Sequence, residues 1–195
     1  MVNTKVISMK FKRIKQISKG WSSYIWLCKI KAKNENNKLC VLKEVREKSP
    51  RKNLAEREGF YLKKANTLNV GPKLFLNDKK NNCILMEYIK GPRLFDWIMD
   101  NKAINKNDLM YFIKELYKQL QKLDELHISH NQLQVGKNIL VSKKNNKPFP
   151  VIIDFEKATT KEKTKNIGQI ESFLFYNPNG AVAKKVREIL GLELN

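Results

Sequence analysis

Two stretches decide how this chain reads: LHISHNQLQVGKNILV (126–141) and VIIDF (151–155). The second is a short apolar run after Pro150 that ends in an acid, which reads as a buried strand with Asp154 at its carboxyl-terminal mouth. A carboxylate there suits a divalent cation, and a capping or turn Asp is the competing reading. Asn138 opens another short apolar run, sixteen residues before Asp154, and its amide oxygen would be a neutral ligand for the same kind of ion. His130 reads as a brace that holds the loop through ring hydrogen bonds. Gln132 stands two residues after it. An amide cannot accept a proton at neutral pH, although it can orient a hydroxyl or a water. Glu156 is a second-choice acid, or the partner in a local salt bridge.

Upstream, SKGWSSYI (18–25) joins two alternating apolar segments. Ser18, Gly20 and Ser23 are small, so backbone N–H groups could approach an anion without a side chain intervening, and Ile25 follows as an apolar contact. An ordinary hairpin turn is the alternative. Lys43 ends the run Cys40-Val41-Leu42 and faces either a site or solvent. A helical segment expected at about 51–65 carries Glu56 and Glu58. Glu58, just before the apolar pair Phe60-Tyr61, is the preferred partner, because an inward Glu offsets the cost of desolvating Lys43. LMEYI (85–89) reads as a further strand that carries Glu87 and Ile89. Ile17, Ile25, Val41, Leu140 and Ile153 would supply the apolar walls of a pocket, and would be core in almost any fold.

The pattern divides the chain in two. Residues 1–90 read as five strands, FKRIKQI, SYIWLCKIKAK, LCVLKEV, KLFLND and CILMEYI, with turns SKGWSS, NENN and DKKNN and one inserted helix. Residues 91–195 read as mainly helical. Helix is expected over 93–128, where Leu109, Phe112, Ile113, Leu116, Leu120, Leu123 and Leu126 recur at spacings of three and four. Short strands NILV and PVIIDF, a basic link and helices at about 167–176 and 181–190 complete it. The fold class is α+β in two lobes: a five-stranded antiparallel lobe with one helix, and a short helical lobe.

The chain has 195 residues, 42% of them hydrophobic, which is enough to build a core. Its formal net charge is +20, which attracts polyanions such as RNA, ATP or acidic proteins. The lysines are dispersed and often stand beside Asn, so a compositional bias competes with an RNA surface. No apolar run approaches membrane-span length, and Lys interrupts the amino-terminal stretch where a signal peptide would be apolar. Cys28, Cys40 and Cys83 are far apart among apolar residues and read as buried thiols of a cytoplasmic protein.

Taken together, KGWSSYIWL, VLKE, AEREGFYL, VGPKLF, ILMEYIKG, LDELHISHNQL, KNILV and VIIDFEKAT resemble the protein-kinase-like superfamily. The likeness runs over roughly residues 15–176 and is nearest to its minimal, atypical branch: predicted archaeal serine/threonine kinases related to the RIO kinases and to the KEOPS-complex kinase. The resemblance implies Mg-ATP or Mn-ATP bound between the lobes. Ser18, Gly20, Ser23, Ile25 and Val41 would surround the nucleotide, together with Glu87, Ile89 and Leu140. Lys43, oriented by Glu58, would hold phosphates, and Asn138 and Asp154 would hold metal. Gln132 takes the position of the usual catalytic acid, Asn131 replaces a Gly, and the His-to-Asn spacing is one residue longer than in the pattern. No A-P-E motif follows Asp154, which implies that there is no peptide platform. The activity implied is an ATP-dependent phosphotransferase, serine/threonine-kinase-like, or an ATPase, acting on an unknown protein substrate. A pseudokinase scaffold and a basic RNA-associated kinase-fold protein remain as alternatives.

Overall fold

Period-two alternation builds the sheet and sorts its two faces. In the computed structural model, which describes residues 5–6, 9–30, 38–49, 53–100 and 104–192, six strands lie in the order β1-β2-β3-β4-β6-β5, every ladder antiparallel. They are β1 (Lys5–Val6), β2 (Met9–Lys19), β3 (Ser23–Ile30), β4 (Lys38–Val45), β5 (Leu74–Asp78) and β6 (Cys83–Glu87). The five long strands are those the pattern predicts; β1 adds a two-residue piece at one edge. Successive residues of β4 point to opposite faces. Cys40 and Leu42 pack with Phe11, Cys28, Cys83 and Leu85 on the outer face. Val41, and with it Lys43, therefore faces inward, where Ile84 and Met86 join the main core. All three cysteines are free and buried.

Helix α1 (Leu54–Asn66) covers the inner face with Leu54, Ala55, Glu58, Leu62 and Ala65. The expected start of this helix at 51–52, the turn at 34–37 and the strand end at 31–33 lie outside the described residues. The helical region expected over 93–128, LFDWIMD first and DLMYFIKELYKQLQKLDELH after it, is two helices, α2 (Leu94–Asp100) and α3 (Lys106–Glu125). Asn105 starts the second by accepting the Asp108 N–H at 2.8 Å, satisfying one of the free donors of the first turn. On α3, Leu109, Phe112, Leu116, Leu120 and Leu123 are fully buried, the face that the spacing predicts.

Short strands β7 (Ile128–Ser129) and β10 (Thr159–Thr160) pair with each other, an association not visible in the sequence pattern. Strands β8 (Ile139–Lys144) and β9 (Lys147–Ile152) form a hairpin. Its turn residues Asn145 and Asn146 have φ of 50° and 59°, the paired left-handed geometry that matches strand twist. The predicted strand 151–155 stops at Ile152. Asp154 instead adopts φ 66°, ψ 67° and starts a 3-10 turn, Phe155–Lys157, which swings Phe155 into the core. Helix α4 (Asn166–Glu171) runs into a π-helical turn (Ser172–Tyr176), and α5 (Ala181–Leu190) closes the chain's described part.

One core runs from Val41, Ile84 and Met86 under the sheet, through Leu62 and Phe155, to Val182 and Val186 on α5. The link between sheet and helices is pressed against β8. A Cβ on Gly91 would lie 2.0 Å from the Val141 carbonyl oxygen, so only glycine fits there.

Candidate functional site

Between the sheet and the helical part lies a cleft of about 700 Å³. Its roof is the turn after β2, its back is β4, one wall is the chain from Met86 to Arg93, and its floor carries Asn138, Leu140, Ile153 and Asp154. Lys43 reaches into it from the inner face of β4. Its Nζ lies 2.6 Å from Glu58 Oε2, 2.6 Å from Asp154 Oδ1 and 3.5 Å from Glu156 Oε2. Glu56, the other acid of α1, instead pairs with Lys79 at the surface.

Burial and charge act against each other here. Desolvation opposes the charge on Lys43, but three surrounding carboxylates outweigh it and hold the ammonium protonated well above its ordinary range. For Glu58, fully buried, desolvation outweighs the attraction of Lys43 and pushes its carboxyl up to about 7. Asp154 is also desolvated, but the Lys43 charge and hydrogen bond win and hold it below its ordinary value. One ammonium shared by three carboxylates leaves the cluster short of positive charge. Carboxylate oxygens of Glu58, Asp154 and Glu156 come within 4.8 Å of one another, a hard-oxygen donor set that fits a divalent cation. Opposite them, the Ser23 hydroxyl is buried with no hydrogen-bond partner and lines the same cleft, which fits an anionic oxygen.

The structure brings most of the sequence-selected residues together. Ser18, Gly20, Ser23 and Ile25 line the roof, with Ser18 and Ile25 paired across β2 and β3. The Gly20 N–H donates to the Ser23 carbonyl at 2.9 Å, closing the turn. Ile17, Val41, Leu140 and Ile153 are walls, and Glu87 and Ile89 line the side. The Glu87 carboxylate is turned outward, accepting the Lys73 N–H at 3.2 Å. Asn138 lines the floor, with its Nδ2 donating to the Gln132 carbonyl at 3.1 Å.

Gln132 is the exception, for it is absent from the cleft lining. Its side-chain oxygen is buried without a hydrogen-bond partner. His130 is fully buried beneath the Asp154 turn, edge-on to Phe155 at 5.0 Å between centroids. Its Nε2 sits 3.0 Å from the Ile153 carbonyl, so that nitrogen carries the hydrogen and donates. Burial pulls its pKa down to about 4, and the ring is a neutral brace. Glu156 is the residue whose place the sequence under-weighted. Its carboxylate also accepts from Ser22 Oγ at 3.4 Å, across 134 residues of chain, and no local pattern announces such a contact.

Residues 11–186 match the protein kinase domain family. An uncharacterized protein of Methanocaldococcus jannaschii is 34% identical over 110 residues, which make up 56% of this chain and 87% of that one. A protein of Dictyostelium discoideum named "Probable serine/threonine-protein kinase fnkB" is 29% identical over 127 residues, 60% of this chain. The match spans only 23% of that longer protein. With the family matched over most of its length, and with a sheet, a helical part and an intervening cleft in the expected order, this chain belongs to the protein kinase domain family.

Proposed function

We propose that the chain binds Mg-ATP or Mn-ATP in this cleft and transfers the γ-phosphoryl group, as a small serine/threonine-type kinase or ATPase of the atypical branch. In this reading, residues 1–90 act as the nucleotide-binding lobe and 91–195 as a short helical lobe. The observation that carries it is the Lys43 cluster: a buried ammonium 2.6 Å from both Glu58 and Asp154. A lysine desolvated and aimed in this way is poised to meet phosphate oxygens, and Glu58 keeps it extended across the cleft. Backbone groups of 87–89 would take the adenine, while Ile17, Ile25, Val41, Leu140 and Ile153 would enclose it. Asp154 and Asn138 would hold the divalent ion, which supplies charge neutralisation along the phosphates. Gly20 and Ser23 would leave the roof open to phosphate oxygens.

Phosphoryl transfer has a loose transition state, so positioning and charge carry most of the catalysis. Lacking a base at Gln132 is expected to slow transfer about 10²–10⁴-fold. The test is a melting shift with Mg-ATP followed by transfer from γ-labelled ATP, wild type beside Asp154→Ala. Binding with slow, metal-dependent label release or transfer that the variant loses supports the reading; no shift at millimolar Mg-ATP sinks it. The placement of Gln132 outside the cleft lining favours a second reading, an ATP-binding pseudokinase. That reading wins if the shift occurs and no phosphate moves over hours.

A further inference from the structure

We propose that Ser22 is a phospho-acceptor of this same site, phosphorylated within its own chain, with Glu156 as the group that takes its proton. This rests on the nucleotide reading above. Three observations carry it. First, the Ser22 hydroxyl donates to Glu156 Oε2 at 3.4 Å, and that carboxylate is 3.5 Å from Lys43 Nζ. A nucleophile and a base within reach of each other therefore stand beside the cation that would hold the phosphates. The contact is long for a hydroxyl–carboxylate bond, as catalytic contacts are before the reactant is present.

Second, the turn is pinned rather than loose. Arg46 N donates to the Ser22 carbonyl at 2.9 Å, and Arg46 Nη1 donates to the carbonyls of Gly20 and Trp21 at 3.3 and 3.2 Å. The hydroxyl of Ser22 is thus held over the carboxylates, while the neighbouring Trp21 side chain is 86% exposed. Third, the residue at the usual acid position cannot serve. Gln132 is an amide and does not line the cleft, whereas Ser22 and Glu156 both do.

In the step, Ser22 Oγ attacks the γ-phosphorus of ATP and the Oγ–P bond forms. The bond from that phosphorus to the bridging oxygen breaks, ADP leaves with the electron pair, and the hydroxyl proton passes to the Glu156 carboxylate. The product carries about −1.5 to −2 charge. Set beside Asp154 and Glu156, it repels a second nucleotide, so modification stops near one phosphate per chain.

The test is incubation of the full chain with Mg-ATP, followed by mass-spectrometric mapping, with a Mg-ATP melting shift measured in parallel. Expected is a single phosphate on Ser22, formed at a rate independent of protein concentration. Ser22→Ala should abolish it. Ser22→Thr, which keeps a hydroxyl, should take phosphate at the same position. Glu156→Gln should show labelling of Ser22 reduced at least about 10²-fold at saturating Mg-ATP. Phosphate elsewhere, labelling that survives Ser22→Ala, or wild-type rates in Glu156→Gln overturn the proposal. A melting shift with no phosphate on Ser22 overturns it while leaving nucleotide binding intact. No melting shift removes both readings together.

Discussion

Glu58 and His130 are both buried, and burial moves them in opposite directions, Glu58 up to about 7 and His130 down to about 4. The folded state holds the Glu58 proton more tightly than the unfolded chain does, so its contribution is complete below about pH 4.5 and fades as pH rises toward 7. His130 does the reverse. Its contribution is complete above about pH 6.5 and is lost as pH falls toward 4. The two windows overlap, so between pH 4.5 and 6.5 their slopes oppose each other in the wild type. Melting curves across that range should rise with pH in Glu58→Gln, where His130 acts alone, and fall with pH in His130→Asn. Equal slopes in the two variants would contradict this pairing.

At the scale of elements, the segment joining sheet to helices is pressed directly against the backbone of β8. The Val141 N–H donates to the Pro92 carbonyl at 2.8 Å, and Arg93 bridges Leu140. The obstacle to a Cβ on Gly91 is backbone, which cannot rotate away. Gly91→Ala should cost about 2–3 kcal/mol, seen as a lower urea midpoint with an unchanged slope. Because Gly91, Pro92 and Leu140 also line the cleft, nucleotide affinity should fall with it. A variant as stable as wild type would show that the segment can move away from β8. Position 105 and the Asn145-Asn146 turn, by contrast, hold their elements through local geometry that Asn residues favour.

Across the whole molecule, the shared core argues against independent halves. Phe155 is fully buried in one apolar cluster that also takes in residues of the sheet, α1, α3 and α5. Unfolding should therefore be a single transition. Single-tryptophan variants retaining Trp26 of the sheet or Trp97 of α2 should give superimposable denaturant curves. Separated midpoints would mean that each half folds alone. No described helix is long and apolar enough to cross a membrane. Part of the lysine excess behind the +20 charge also works structurally. Lys38 lies over Phe75, Lys144 over Phe149 and Lys147 over Tyr111, each 4.9–5.5 Å from the ring.

What the sequence by itself determined is whatever depends on period and short spacing. Alternation placed Val41 and Lys43 on one face of β4, and the place of Glu58 just before Phe60-Tyr61 singled it out over Glu56, although Phe60 itself is 58% exposed. The apolar run before Asp154 marked the floor of the cleft. Those patterns are local because a strand repeats every two residues and a helix every 3.6. Only the tertiary structure decided the rest. It ended the last strand at Ile152 and turned Asp154 left-handed. It also buried the Gln132 amide oxygen away from the cleft and brought Ser22 and Glu156 together. The last contact joins residues 134 apart through the packing of sheet on helices, and no spacing rule reaches that far. The opening loop thus provides the floor of the site through Asn138 and Leu140, while the acids beside Lys43 come from α1 and from the turn after Ile153.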